Sequence, residues 1–317
     1  MPVSQYQRAL VTGASGFVGR YLVRALAERF SSMQLICLEH GVVKSSPFSV
    51  TADLTDRAAI GRLVEKCRPD LVLHLAAQSS VGASTNGSSA TWAVNTAGSI
   101  FLAEAIAKYA SDATVLNVSS AEVYGWSFLE GAASETTPLR PVSVYANSKA
   151  AGETAFSDIL SSETRLITVR PFNHTGPGQD ERFVVPAFAA QIARIERGEQ
   201  EPIISVGNLD AWREFIDVRD VIEAYILLIL KSPELPLRSV FNIASGRAVQ
   251  IRDVLAAFVN MARVPVEVVT DPMRLRASDI LCAKGDATKL TNQVCWKQAF
   301  SLEQTLTETL DFFRTLK

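Results

Sequence analysis

Short apolar runs alternate with segments of helical period through the first half of the chain. Residues 8–11 read as a strand, followed by a glycine turn and a helix over about 18–29; 34–38 is the next strand and 56–67 a helix. Residues 71–75 form a buried strand, 91–109 a helix, 114–118 a strand, 145–160 a helix and 165–169 a strand. Strand followed by helix, repeated in this way, implies an α/β fold with a doubly wound parallel sheet covered by helices on both faces. The pattern changes after Pro171. A Pro/Gly-rich loop over 171–178 leads to helices over 184–197, 217–230 and 251–261, strands over 239–243 and 266–269, and an amphipathic closing helix over 302–316. No repeat or low-complexity segment interrupts the chain. These patterns imply a nucleotide-binding domain over 1–170, with roughly 215–245 returning to it, and a smaller α/β lobe made mostly from 171–317.

Composition narrows the class. At 317 residues, 48% hydrophobic and 20% charged, the chain suits a large soluble globular unit. A net charge of −2 gives no basic surface for nucleic acid or an anionic membrane. Cys37, Cys67, Cys282 and Cys295 are scattered, without metal-ligand spacing or a disulfide framework, as expected of reduced thiols in the cytoplasm. The N-terminus has no signal-peptide pattern, and the apolar stretch 224–230 is too short to span a bilayer.

The turn after the first strand is Gly13-Ala14-Ser15-Gly16-Phe17-Val18-Gly19, a G-x-x-G-x-x-G between strand and helix. Glycines there permit a tight turn and let backbone N–H groups approach a pyrophosphate at a helix N-terminus. Gly13, Ser15, Gly16, Phe17, Val18 and Gly19 are therefore candidate dinucleotide contacts. Glu39 ends the second strand, where a carboxylate accepts hydrogen bonds from ribose hydroxyls and repels a 2′-phosphate, which favours NAD over NADP. Neighbouring His40 or Lys44 could instead serve such a phosphate. Asp53 and Leu54 are candidate adenine contacts, with a helix-capping turn before Asp56 as the plainer alternative.

Two further segments carry chemistry. Ser119 and Ser120 end the strand over 114–118, where open α/β sheets bind ligands, and Glu122, Tyr124 and Gly125 follow. Tyr145 and Lys149 lie four apart in a helical segment and so share a face. A lysine beside a phenol lowers the phenol's pKa and makes it a usable proton donor or acceptor.

With His74-Leu75-Ala76-Ala77-Gln78 and Val94-Asn95, these motifs resemble the extended short-chain dehydrogenase/reductase family along essentially the whole chain. The resemblance implies a Rossmann-type fold, NAD or NADP as cofactor, and a homodimer paired through helices near 91–109 and 145–160. It implies Tyr145 as acid/base, Ser120 as its partner on the reacting oxygen, and Lys149 on the nicotinamide ribose. Leu75, Ala76, Ala77 and Pro171 join the cofactor contacts, Gln78 and Val184 the substrate contacts, and Asn95 supports the network. His174 is expected to pack beside the cofactor without a catalytic part.

The segment 170–179, Arg-Pro-Phe-Asn-His-Thr-Gly-Pro-Gly-Gln, resembles members acting on GDP-linked 6-deoxyhexoses, with support from 206–220 and 271–276. Arg213 and Arg276 suit a diphosphate because guanidinium forks match phosphate oxygens, and Asn173 suits a diphosphate or sugar hydroxyl. The implied reaction is reduction of the C4 ketone of GDP-4-dehydro-6-deoxy-D-mannose to GDP-D-rhamnose. Glu122 leaves alternatives open, since 4,6-dehydratases of this family carry a glutamate there as base. A 4-epimerase would use the same Ser120, Tyr145 and Lys149, and a non-catalytic NAD-binding regulatory protein is the reading from another class.

Overall fold

A computed structural model describes residues 6–39, 48–79, 88–274 and 280–316. The strands are β1 (Arg8–Thr12), β2 (Gln34–Glu39), β3 (Ser49–Thr51), β4 (Leu71–His74), β5 (Thr114–Val118), β6 (Arg165–Pro171), β7 (His174–Thr175), β8 (Ile203–Val206), β9 (Trp212–Glu214), β10 (Ile216–Asp217), β11 (Arg238–Ile243), β12 (Ala248–Gln250), β13 (Glu267–Thr270) and β14 (Cys282–Ala283). Seven of them form one sheet in the order β11-β6-β5-β4-β1-β2-β3, and every neighbouring pair is parallel. Most are buried along their length, which is why they read as apolar runs rather than alternations. Strand order reverses between β1 and β4, and this places a ligand crevice at their C-terminal ends.

The longer helices are α1 (Phe17–Arg29), α2 (Arg57–Cys67), α3 (Ser88–Trp92), α4 (Gly98–Tyr109), α5 (Val144–Ile159), α6 (Val184–Glu196), α7 (Val218–Lys231), α8 (Ile251–Met261), α9 (Thr288–Val294) and α10 (Leu302–Thr315). Side-chain caps set several starts: Asp56 accepts from the Ala59 amide at 2.9 Å, Ser143 from Ala146 at 3.1 Å and Asp217 from Arg219 at 2.8 Å. Residues 56 and 217 thus cap the helices they were expected to begin.

One face of the sheet packs against α1 and α7 around Leu22, Leu26, Val221 and Tyr225. The other packs against α2, α4 and α5 around Ile60, Val64, Leu102 and Phe156. A third cluster joins α6, α8 and α10 through Phe188, Phe258 and Leu310, beside the β13-β8 pair. The three-stranded β12-β9-β14 sheet lies in the same half of the chain. Among the described residues no helix is long and apolar enough to cross a membrane.

The helix expected over 91–109 is not continuous. A π-helical turn over Ala93–Ala97 separates α3 from α4. Ser99 Oγ donates to the Asn95 carbonyl at 2.6 Å within this stretch, a side-chain bond inserted into the helical ladder. The turn places the buried Asn95 side chain between two segments. Its Oδ1 accepts from the Gln78 amide at 2.7 Å, and its Nδ2 donates to Ser148 Oγ on α5 at 2.9 Å.

Candidate active site

A cavity of about 380 Å³ opens at the C-terminal edge of the sheet. Gly13, Gly16, Phe17, Val18 and Gly19 line one side, with Leu75, Ala76 and Ala77 beside them, while Ser120, Glu122, Tyr145, Lys149, Pro171, Asn173, His174 and Val184 complete it. These residues come from the β1–α1 turn, the ends of β4, β5 and β6, α5 and the start of α6. The strand ends bring them together because parallel strands all deliver their following loops to one edge.

The glycine turn fits a dinucleotide. A Cβ at Gly13 would stand 2.7 Å from the Ala76 amide nitrogen, and one at Gly19 would stand 2.1 Å from the Gly13 carbonyl oxygen. Gly13 also has φ of +72°, so both backbone conformation and close approach require glycine. No side chain caps α1 at Gly16. The first amides of this 13-residue helix therefore face the cavity mouth as donors for an anionic group.

Tyr145 and Lys149 share the inner face of α5, and both are buried. Lys149 Nζ donates to the Val118 carbonyl at the end of β5, at 2.7 Å. Burial pushes the Lys149 ammonium down to about 8, against the opposing charge of Glu153. Burial also pushes the Tyr145 phenol up to about 12, opposed by a hydrogen bond with Ser120 and reinforced by Glu122. This departs from the lowering expected of a Tyr/Lys pair. The lysine charge is directed to a backbone carbonyl, so desolvation of the phenolate dominates. Ser120 caps the 3₁₀ segment Ala121–Glu130, accepting from the Glu122 amide at 3.2 Å. Burial pushes the Glu122 carboxyl up, offset in part by the Arg213 charge.

The Tyr124-Gly125 pair anchors this segment. Tyr124 donates to Asn242 Oδ1 at 2.7 Å and accepts from Arg170 Nη1 at 3.1 Å. Gly125 has φ of +49°, and a Cβ there would lie 1.9 Å from the Arg140 carbonyl oxygen. Behind the β4 end, Ser99 commits its proton to Asn95, so His74 Nε2–H donates to Ser99 Oγ at 3.1 Å. His74 Nδ1 then accepts from Thr12 Oγ1 at 2.8 Å. Burial, and secondarily the Lys149 charge, pushes His74 down to about 3.

Other candidates stand outside the cavity lining. Ser15 is exposed, and its carbonyl accepts from Arg20 at 3.0 Å. Glu39 is buried at the end of β2, ahead of residues 40–47, so His40 and Lys44 lie outside the described residues. Asp53 Oδ1 accepts from both the amide and the hydroxyl of Thr55 at 2.8 Å, closing the turn before α2, and buried Leu54 packs on Gly98. Gln78 is exposed, and its neighbour Ser79 lines the cavity. Arg213 also does not line it. Its guanidinium donates to the carbonyls of Trp212 at 2.8 Å and Ile280 at 3.2 Å, holding β9 against the chain entering β14. Arg276 lies outside the described residues.

His174 lines the cavity and stacks on Phe17, with centroids 6.4 Å apart and planes 5° from parallel. Its Nδ1–H donates to the Phe172 carbonyl at 3.0 Å, and burial pushes its pKa down, so the ring is neutral at physiological pH. Ser119, named with Ser120 at the strand end, and Gln179, in the segment 170–179, also line the cavity, as do Phe215 and Tyr225, which the sequence did not single out. Tyr225 falls within the helix expected over 217–230, where its ring reads as core and nothing local reveals where its hydroxyl points.

A glycine turn on a parallel sheet, facing a buried Ser/Tyr/Lys set, defines a dinucleotide-dependent short-chain dehydrogenase/reductase of the extended type. The chain belongs to that family: residues 10–309 match the family model described as GDP-mannose 4,6 dehydratase. It is 33% identical over 304 residues to the GDP-6-deoxy-D-mannose reductase of Pseudomonas aeruginosa, covering 95% of each chain. It is similar to the solved structure of RMD from Pseudomonas aeruginosa complexed with NADPH, with TM-score 0.84 and 32% identity over 98% of this chain and 99% of that one. The UDP-glucose 4-epimerase of Thermus thermophilus, solved in complex with NAD, has TM-score 0.83 and 28% identity over 98% and 99%.

Proposed function

We propose that this protein reduces the C4 ketone of GDP-4-dehydro-6-deoxy-D-mannose to GDP-D-rhamnose. The convergence of Ser120, Tyr145 and Lys149 with the glycine turn in one cavity carries this reading. The 33% identity to a GDP-6-deoxy-D-mannose reductase supports the choice of sugar. Reduced nicotinamide, when bound, supplies the hydride that forms the new C4–H bond. Tyr145 donates its phenolic proton to O4 as the carbonyl π-bond becomes an alkoxide, and Ser120 holds that oxygen through its hydroxyl. With its phenol pushed up to about 12, Tyr145 is fully protonated at neutral pH, as a proton donor must be. Lys149 takes the nicotinamide ribose, and its charge then steadies the tyrosinate left behind.

Gly13, Gly16, Phe17, Val18 and Gly19 hold the pyrophosphate, Leu75 to Ala77 and Pro171 flank the nicotinamide half, and Glu39, Asp53 and Leu54 serve the adenosine. Glu39 favours NADH over NADPH because its carboxylate repels a 2′-phosphate. Asn173, Val184, Gln78, Arg213 and Arg276 serve the nucleotide-sugar. Residues 1–170, joined by 215–245, act as the nucleotide domain and the rest of 171–317 as the sugar lobe. The enzyme works as a homodimer through α4 and α5 in the cytoplasm; Cys67, Cys282 and Cys295 are free thiols, which fits a reducing compartment.

The 4,6-dehydratase reading is kept because Glu122 lies in the same cavity as Tyr145. Supplying the 4-keto sugar with NADH or NADPH and following loss of reduced nicotinamide tests the proposal. Equimolar consumption supports it. No consumption with either, together with water loss from GDP-mannose, would replace it with the dehydratase reading.

A further inference from the structure

Arg170 ends the apolar run of β6, just ahead of Pro171 and Asn173, yet it is buried and does not line the cavity. Its guanidinium is used on every side. Nε donates to Glu153 Oε1 at 3.0 Å and Nη2 to Glu153 Oε2 at 2.6 Å, while Nη1 donates to the Tyr124 hydroxyl at 3.1 Å and the Glu135 carbonyl at 3.4 Å. A fork of this kind fixes both carboxylate oxygens in one direction. The alternation of β6 aims it: Ile167 and Val169 join the cluster of α1 and α7, so Arg170 faces α5.

Glu153 stands four residues after Lys149 on α5, the spacing at which a lysine and a glutamate on one helix ordinarily meet. Here each takes another partner: Lys149 Nζ donates to the Val118 carbonyl at 2.7 Å, and Glu153 turns to Arg170. The titratable and charged groups around Lys149 are Tyr145 and Glu153 on α5, His74 at the end of β4, Glu122 in the 3₁₀ segment and, behind Glu153, Arg170 on β6. Tyr145 and His74 are uncharged at neutral pH. Burial pushes the Lys149 ammonium down, and the Glu153 charge is the one that opposes it. An anion near an ammonium keeps it protonated, but an anion in contact with it also takes up its donors. A direct pair with Glu153 would draw Nζ along the helix, away from Val118 and the cavity edge.

We propose that Arg170 is a positioning residue for Lys149: its fork holds the Glu153 carboxylate off the ammonium, so Lys149 keeps a nearby anion without pairing to it and stays free for the cofactor. The proposal rests on the assignment of Lys149 to the nicotinamide ribose. Arg170 touches neither ligand in this scheme and acts only through Glu153. Losing the anion and losing the fork therefore have opposite consequences. Without Glu153, Lys149 gives up its proton more readily; without Arg170, Glu153 closes on Lys149, which then holds its proton more tightly and leaves the ribose.

The test follows affinity for the reduced dinucleotide by its fluorescence from neutral to alkaline pH, with ADP, which lacks the nicotinamide ribose, as the control by calorimetry. In the unaltered protein, affinity for the dinucleotide should fall as Lys149 loses its proton, and affinity for ADP should not. Glu153→Gln should move the midpoint of that fall down by about one pH unit. Arg170→Gln should move it up by about one unit and weaken the dinucleotide about tenfold at neutral pH, with ADP within about twofold. The double variant Glu153→Gln/Arg170→Gln leaves no buried charge unpaired, and its midpoint should lie below that of the unaltered protein. A midpoint that stays or falls in Arg170→Gln, one that stays or rises in the double variant, or ADP weakened as much as the dinucleotide overturns the proposal. Should Arg170→Gln not fold, Arg170→Lys, which keeps the cation but lacks the fork, should raise the midpoint by a smaller amount, and no rise overturns the proposal. If the unaltered protein binds the dinucleotide without this pH dependence, the assignment of Lys149 to the ribose fails and takes the proposal with it.

Discussion

The sheet that carries the cavity and the lobe beside it are built differently. On the sheet side, Ser120 follows the end of β5, Tyr145 and Lys149 share one capped helix, and Lys149 is tied directly to the end of β5. On the lobe side, Arg213 sits on a three-residue strand held by β12 and β14, and its guanidinium donates to carbonyls some seventy positions away in the chain. Groups fixed by rigid elements suit the bond-making step, while groups assembled from short strands suit recognition of the rest of the substrate. Changes on the sheet side should therefore fall on kcat or cofactor affinity, and changes on the lobe side on KM.

Tyr145→Phe gives the largest effect. Turnover should fall about a thousandfold, the scale of a lost general acid, with cofactor affinity changed by less than about threefold. Activity near the unaltered level would remove Tyr145 from proton transfer. Gly19→Ala forces a Cβ to within 2.1 Å of the Gly13 carbonyl oxygen. Titration with reduced dinucleotide should show affinity about 10- to 100-fold weaker, the scale of overpacking a tight contact. Arg213→Lys loses the fork that bridges Trp212 and Ile280. Steady-state kinetics should show KM for the nucleotide-sugar raised about tenfold and kcat within about twofold, and a kcat loss without a KM change would erase the contrast between the two sides. Glu122→Gln should cost a reductase about tenfold at most, whereas a carboxylate acting as base would cost about 100-fold or more.

The smallest effect concerns stability. His74 is neutral when folded, with its pKa pushed down to about 3, while the unfolded chain takes up that proton below about 6.5. The unfolded state therefore binds more protons between these values, so stability falls as pH is lowered through that window, by at most about 1.4 kcal/mol per unit from this group. Denaturant midpoints measured from pH 7 to 5 should fall with a shallower slope in His74→Asn than in the unaltered chain.

The same contrast explains what could be read in the sequence. Strands β1, β2, β4, β5, β6 and β11 are apolar runs buried by the sheet, and the glycine turn and the Tyr145/Lys149 spacing are local patterns. Strands β8, β9, β12 and β14 of the lobe are two to four residues long, too short for alternation to mark them, whereas β13 was expected over 266–269 and lies one residue later. The π turn at Asn95 left no periodic signature because it inserts a single widened turn into a continuous helical pattern. The Lys149 contact with Val118 spans 31 positions, and the burial that raises the Tyr145 phenol is a property of the tertiary fold, so neither is written in the local spacing.

The most direct test of the reduction follows the hydrogen itself. Nicotinamide deuterated at the transferred position is supplied with the 4-keto sugar, and the product is examined by NMR and mass. One deuterium at C4 of the sugar for each cofactor oxidised is the predicted result. Conversion of the sugar without net oxidation of the cofactor, or with no label at C4, would contradict it.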